Sequence, residues 1–268
     1  MILARAAKLF GYQADYQKYR ALAEKIKQAL NEKYLDRATG WYGSGLQTEL
    51  SVALHWGLIP EELKPTVAKH LAARVAADNK HIDVGLLGSK AILNALSENG
   101  YAELAWQVAA QETYPSWGWW IVNGATTLPE NWALDAGHDI SMNHIMFGEI
   151  SAWYYKALGG IFPDETQPGF KNILLKPNFV AGLDFFTAEH NSPYGRIVSS
   201  WEKTGRDVEY HVTIPANSTA TLFLKDVTIR EAASRIKADG LIKTVKSEDG
   251  LFVLLLNSGD YRFSLRSE

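Results

Sequence analysis

The chain has 268 residues, 47% apolar and 21% charged, with a formal net charge of −3, which suits one large domain or two modest ones and gives no basic stripe for a nucleic-acid partner. No apolar run nears the roughly 20 residues that span a bilayer, so a soluble protein with no membrane partner is expected. The absence of cysteine removes disulfides, zinc–thiolate sites and thiol nucleophiles, and leaves the compartment unknown.

Met1 to Phe10 has the pattern of the inside of an amphipathic helix. Arg5 and Lys8 break its apolar stretch and no small-residue cleavage site follows, so it does not read as a secretory signal. It also lacks a cap or a lead-in, so the chain is expected to begin mid-domain. The clearest helix runs from Asp15 to Tyr34, where Tyr19, Leu22, Ala23, Ile26, Ala29 and Leu30 recur at three- and four-residue spacing. Further helices are predicted from Gln47 to Gly57, from Pro60 to about Asn79, from Leu86 to Ser97, from Tyr101 to Gln111 and from Ser141 to Leu158. Gly159-Gly160 ends the last of them. Short turns such as Glu98-Asn99-Gly100 alternate with long Gly- and Trp-rich loops, Arg37 to Leu46 and Tyr114 to Ile140. Helical hairpins with every second connection elaborated suggest an α/α toroid whose long loops meet at a cleft. A helical bundle or superhelical array is the competing arrangement, although no fixed period appears.

Composition changes near Phe162. Pro163, Pro168, Gly169, Pro177 and Gly182 punctuate a linker and the first strands, after which alternation takes over. Val208 to Ile214, Thr219 to Leu224, Leu251 to Leu256 and Tyr261 to Leu265 read as strands. Asn191 to Gly195 and Pro215 to Asn217 read as turns. The expected organisation is residues 1–161 helical and residues 162–268 an antiparallel β-sandwich.

Nine tryptophans and a 12% aromatic share are the unusual numbers, and four of the nine, Trp117, Trp119, Trp120 and Trp132, fall in one short stretch. A pyranose offers an apolar C–H face and a polar rim, which aromatic faces and edge polar groups match; the plainer account is that tryptophans fill a core. Within that stretch Glu130 is a carboxylate in a loop, flanked by tryptophans, and so a candidate acid–base group; otherwise it is a solvated loop glutamate beside a turn proline. Ser141 or Asn143 is a candidate cap for the helix that follows, with His144 in its first turn, able to hydrogen-bond a sugar hydroxyl or to serve structurally. His138 and His144 lie six apart without an HExxH pattern, so no metal is expected, and no cofactor fingerprint appears.

Tyr114-Pro-Ser-Trp-Gly118, Gly124-Ala-Thr-Thr-Leu-Pro-Glu-Asn-Trp132, Ser141-Met-Asn-His144 with Gly148, and Gly159-Gly-Ile161 resemble the bacterial α-L-rhamnosidases of glycoside hydrolase family 78. The likeness extends upstream through Gln47-Thr48 and Asp83 to Gly88, and downstream through Tyr194-Gly195, Trp201 and Ile214 to Asn217. It implies a partial (α/α)6 toroid followed by an antiparallel β-sandwich, and inverting hydrolysis of terminal α-L-rhamnose from a glycoside or oligosaccharide. Glu130 would be the general base, His144 a sugar-binding residue, and Trp117, Trp119, Trp120 and Trp132 the subsite lining. Pro129 stands where the family often has tryptophan, and the loop from Glu130 to His144 looks short.

The family's general acid lies in an Arg/Asp/Trp-rich stretch that nothing in this sequence matches. The resemblance therefore implies a fragment, inactive alone, that self-associates or needs its N-terminal half. Two other readings stand beside it: a non-catalytic sugar-binding or scaffold protein, and a different glycosidase on an α/α toroid. The latter needs a second acidic residue facing Glu130, with Asp83, Asp135 and Asp139 the candidates.

Overall fold

A computed structural model of the chain describes residues 1–134, 141–225, 227–232, 242–246 and 251–267. Its contacts divide the chain into two compact units, Met1–Phe147 and Gly148–Glu268.

The first unit is helical: α1 Ile2–Leu9, α2 Gln13–Tyr34, α3 Gln47–His55, α4 Lys64–Ala77, α5 Leu86–Glu98, α6 Ala102–Ala109 and α7 Trp117–Val122. The pairs α1/α2, α3/α4 and α5/α6 form three consecutive hairpins, and α5 also packs on α3. The core lies among the middle helices, where Leu50, Leu71, Val75, Ile92 and Leu96 are buried. Burial of each such side chain contributes about 1.5–3 kcal/mol. The predicted helices from Gln47 to Gln111 are all present, each within a few residues. α2 begins two residues before its predicted start, and its one fully buried residue is Asn31, whose Nδ2 donates to the Leu58 carbonyl at 2.8 Å.

Two predictions are corrected here. The stretch Tyr114 to Ile140 is not loop throughout, because α7 lies within it. Ser116 caps this helix by accepting from the Trp119 amide at 2.9 Å. Six residues are too few to show a period, so only the cap could have announced it. Gly118 lets α7 abut the chain before it, since a Cβ there would stand 2.2 Å from the Gln111 carbonyl oxygen. The predicted helix from Ser141 to Leu158 starts later. Ile145–Gly148 is a 3₁₀ turn, α8 is Glu149–Trp153, and Tyr154–Leu158 is a π turn. Residues 141–144 lie outside it: the Ser141 and His144 amides bond to Glu130 and Leu128, and the Asn143 amide to Ser141 Oγ. Gly159-Gly160 does end the helix: the Gly159 amide donates to Tyr154 O, and Gly160 has φ +69° with the Pro177 nitrogen 2.2 Å from a would-be Cβ.

The second unit carries β1 Ile161–Pro163, β2 Asn172–Leu175, β3 Phe185–Ser192, β4 Gly195–Thr204, β5 Asp207–Ile214, β6 Thr219–Leu224, β7 Val227–Ala232, β8 Ile242–Lys246, β9 Phe252–Leu256 and β10 Gly259–Ser267. They form two five-stranded sheets, β1-β2-β6-β9-β8 and β3-β4-β5-β10-β7. Each buries one alternating face, with Trp201, Tyr210 and Phe263 on one sheet and Ile173, Leu222 and Leu254 on the other. Pro163 sits on the edge strand β1, where a missing amide costs no ladder bond. Among the described residues every strand pairing is antiparallel except β2 with β6, which run parallel with Asn172 opposite Thr219. Between them the chain builds β3, β4 and β5 in the other sheet, so β6 returns by crossover rather than by hairpin.

Helical residues after Phe147 belong to this second unit. Trp201 Nε1 donates to Leu158 O at 2.9 Å, Ser199 Oγ to Gly159 O at 2.6 Å and Asn178 Nδ2 to Ala157 O at 2.7 Å. The change of composition at Phe162 marks where strands begin; the change of packing partner comes earlier.

Candidate active site

The aromatic motif folds into a compact stack. Trp120 lies on Trp132 with ring centroids 4.5 Å apart, Trp117 meets Trp132 edge-on at 5.2 Å, and Phe147 closes the cluster 4.5 Å from Trp132. Every indole N–H in the stack reaches a backbone carbonyl. Trp120 donates to Trp132 O at 2.9 Å, Trp132 to Val84 O at 2.8 Å and Trp117 to Phe147 O at 3.0 Å. Three distant stretches of chain are thereby joined under the loop that carries Glu130.

That packing revises the sequence expectation for three of the four tryptophans. Trp117, Trp120 and Trp132 are only 5%, 2% and 8% exposed, their rings packed against one another and against Phe147. Trp119 differs: it is half-buried and meets the exposed ring of Tyr114 edge-on at 5.1 Å.

Val84 is itself held from below. Gln47, fully buried at the start of α3, donates from Nε2 to Asp78 Oδ2 at 2.8 Å and to His81 O at 3.0 Å, and its Oε1 accepts from the Asp83 amide at 2.9 Å. A buried amide with all these partners fixes the turn before α5. His81 in turn reaches Thr113 Oγ1 at 2.7 Å, next to the aromatic motif. Asp83 is 62% exposed and stands 3.8 Å from Arg74. Asp135, His138 and Asp139 lie outside the described residues.

Glu130 sits on a neck formed by two strands of loop. Its amide donates to Ser141 O at 2.8 Å, and the Ser141 amide donates back to Glu130 Oε2 at 3.1 Å. Two residues along, the His144 amide donates to Leu128 O at 2.6 Å, and Thr127 Oγ1 donates to Met142 O. Glu130 and His144 are thus carried on the two paired segments of one neck, which their separation of fourteen positions in the sequence does not disclose. The expected cap is also reassigned. Ser141 Oγ accepts from the Asn143 amide in a local turn, while His144 Nδ1 accepts from the Met146 amide at 3.3 Å. With Nδ1 an acceptor, the neutral ring carries its proton on Nε2. Among the described residues no three His, Asp or Glu side chains gather as metal ligands would.

The arrangement can position a carboxylate and an imidazole donor on one rigid loop base. The clamp between residues 127–130 and 141–144 escaped sequence reading, because reciprocal loop bonds leave no periodic signature.

Comparison with known proteins places this geometry in a family. Residues 1–158 match the family model of the bacterial α-L-rhamnosidase six-hairpin glycosidase domain, and residues 160–239 match that of the bacterial α-L-rhamnosidase C-terminal domain. An α-L-rhamnosidase of Formosa agariphila is 28% identical across 99% of this chain and 30% of its own length. The structure of an α-L-rhamnosidase from Dictyoglumus thermophilum superposes with a TM-score of 0.85 at 32% identity, again over 99% of this chain and 30% of that one. A Streptomyces avermitilis α-L-rhamnosidase complexed with L-rhamnose gives a TM-score of 0.84 at 26% identity, over 97% of this chain and 25% of that one. The chain spans less than a third of the length of these relatives. The helical unit is therefore part of a six-hairpin domain, the strands follow it as the family's C-terminal domain, and the chain belongs to the bacterial α-L-rhamnosidase family.

Proposed function

We propose that residues 1–161 supply the general-base side of an inverting glycosidase site that releases terminal α-L-rhamnose from a glycoside or oligosaccharide, with residues 162–268 as the accompanying sandwich. The observation that carries this reading is the neck that holds Glu130 and His144 together. In an inverting reaction one carboxylate takes a proton from water as the water attacks the anomeric carbon. A second carboxyl group protonates the departing oxygen from the far side, about 6.5–9.5 Å away. The Ser141 amide anchors one oxygen of Glu130, which leaves the other for the attacking water. His144 donates from Nε2 to a sugar hydroxyl. Trp119 offers the aromatic surface, and Trp117, Trp120 and Trp132 hold the loop from beneath.

The general acid of this reading comes from outside this chain, in keeping with the lack of any stretch that matches the family's acid segment; Asp83 stands beside Arg74 and is largely exposed, and Asp135 and Asp139 lie outside the described residues. Alone, the chain does not hydrolyse rhamnosides. Its partners are the rhamnose-bearing substrate and, for the helices, either the rest of the barrel or a second copy. An aryl rhamnoside assay on the purified monomer tests this: turnover matching an intact relative would show that the acid lies within these residues.

A further inference from the structure

We propose that the outer face of the sheet β3-β4-β5-β10-β7 carries a saccharide-binding site that takes one neutral sugar unit of a glycan. The strand register assembles it. Glu202 of β4 lies directly opposite Glu209 of β5, and Ser200 lies opposite His211, which is in turn opposite Arg262 of β10. Alternation turns these five side chains away from Trp201, Tyr210 and Phe263, which are buried on the inner face. Together the five line a cavity of about 240 Å³. That is smaller than the roughly 300–1,000 Å³ of drug-sized sites and suits a single ring.

Like charges directly opposite on a sheet repel and lower its stability. Among the described residues, neither Glu202 nor Glu209 makes an ion pair, and Arg262 makes none either. Lys203, next to Glu202 in the chain, belongs by alternation to the opposite face and donates from Nζ to Phe179 O at 3.1 Å. The paired glutamates therefore weaken the sheet without gaining a partner within it. Ser200 Oγ, by contrast, shares a hydrogen bond with Thr187 Oγ1 at 2.7 Å, which holds its hydroxyl in place.

The chemistry of the lining selects the ligand. Two carboxylates accept, the Arg262 guanidinium donates, and Ser200 and His211 supply either role. A cation would be repelled by Arg262, and an anion by the paired glutamates. A sugar carries adjacent hydroxyls that each donate and accept, so it satisfies both kinds of group at once. Such bonds to charged groups are the strong ones. Phe185, directly opposite Glu202 on β3 and 69% exposed, adds an apolar surface for the C–H face of a ring. This inference rests on the β unit and not on the role of Glu130, and its test involves no turnover.

The probes are the methyl glycosides of L-rhamnose, D-galactose and D-glucose, titrated into the nitrogen-15-labelled chain. At least one should shift the amides of Ser200, Glu202, Glu209 and His211, with a dissociation constant on the order of millimolar. Glu202→Gln together with Glu209→Gln withdraws the charged acceptors and should weaken binding roughly fivefold or more. The melting temperature of that variant should equal or exceed the parent's, because the repulsion between strands is relieved. Lost binding then reports the site and not the fold. Arg262→Gln should weaken binding as well, whereas a cation would bind this variant more tightly. The proposal is overturned if none of the three sugars shifts these amides, or if the shifts fall only on residues 127–144. It is equally overturned if the variants bind the sugar as well as the parent does, or if calcium ion alone produces the same shifts.

Discussion

Glu130 and Ser141 are bonded reciprocally: the amide of Glu130 donates to the Ser141 carbonyl at 2.8 Å, and the amide of Ser141 donates to the Glu130 carboxylate at 3.1 Å. One bond sets the backbone and the other sets the side chain, so the carboxylate is oriented by the same contact that closes the loop.

Glu130→Gln separates these roles. The amide oxygen still accepts from Ser141, but the side chain can no longer take a proton from water. In an intact enzyme carrying this segment, kcat should fall by roughly 10²–10⁴ with KM little changed, the usual share of one acid–base group. Near-normal hydrolysis by this variant would remove Glu130 from the mechanism.

The helices were legible because burial imposes a period, and the period survives even on α2, where half the stripe is exposed. The strands β5, β6, β9 and β10 were legible for the same reason. The motif around Glu130 was legible by composition and by family likeness, but its architecture was not. Trp117, Trp120 and Trp132 look alike in sequence to Trp119, and only packing distinguishes three core rings from the one with an open face. Likewise nothing local to Ser141 or His144 reveals that their amides are bonded to residues 128–130, because that pairing depends on how a loop closes.

Trp132 should be the costliest single truncation in the helical unit. Its ring stacks on Trp120 and its N–H holds Val84 O. Trp132→Ala should destabilise by roughly 3–5 kcal/mol through the cavity it leaves. Trp132→Phe should cost less, mainly the lost bond and the unsatisfied carbonyl, about 1–3 kcal/mol. Thermal denaturation monitored in the helical signal ranks the two; equal midpoints for all three proteins would mean that the stack does not support the loop.

Tyr210 should give the β unit an alkaline limit. Its phenol is buried, and burial pushes its pKa well above the usual tyrosine value, partly opposed by its hydrogen bond with Ser199. Ser199 Oγ spends its proton on Gly159 O at 2.6 Å, so Tyr210 donates in the 2.9 Å bond between the two hydroxyls. The folded protein therefore keeps this proton to a higher pH than the unfolded chain, which loses it near pH 10. Stability from this group is complete below about pH 10 and declines above it by about 1.4 kcal/mol per pH unit until the folded phenol ionises. Urea unfolding at pH 9 and pH 11 measures the decline. Tyr210→Phe should remove one proton's worth of that slope, leaving what Tyr154 and Tyr261 contribute by shifts in the same direction. An unchanged slope would mean that the phenol is solvated.

The sugar contact proposed for His144 and its bond within the turn can be separated by one substitution. Its Nδ1 accepts from the Met146 amide at 3.3 Å and helps start the turn into α8, while its Nε2–H is left for a ligand. His144→Ala removes both groups and would confound a loosened loop with a lost sugar contact. An asparagine oxygen can accept from the amide two residues on, as Asx turns do, so His144→Asn keeps the turn but withdraws the donor from its position on the ring. A hydrogen bond between neutral groups, net of solvent, is worth about 0.5–1.5 kcal/mol, roughly a twofold to tenfold change in affinity. In an intact enzyme bearing His144→Asn, the dissociation constant for L-rhamnose should rise by that factor, with the thermal midpoint held near the parent value. His144→Ala should show the same loss of affinity together with a lower midpoint. Titration calorimetry and thermal denaturation on the same preparations supply both numbers. If rhamnose affinity stays at the parent value in His144→Asn, the imidazole serves only the turn, and sugar recognition has to be sought in Trp119 and its neighbours.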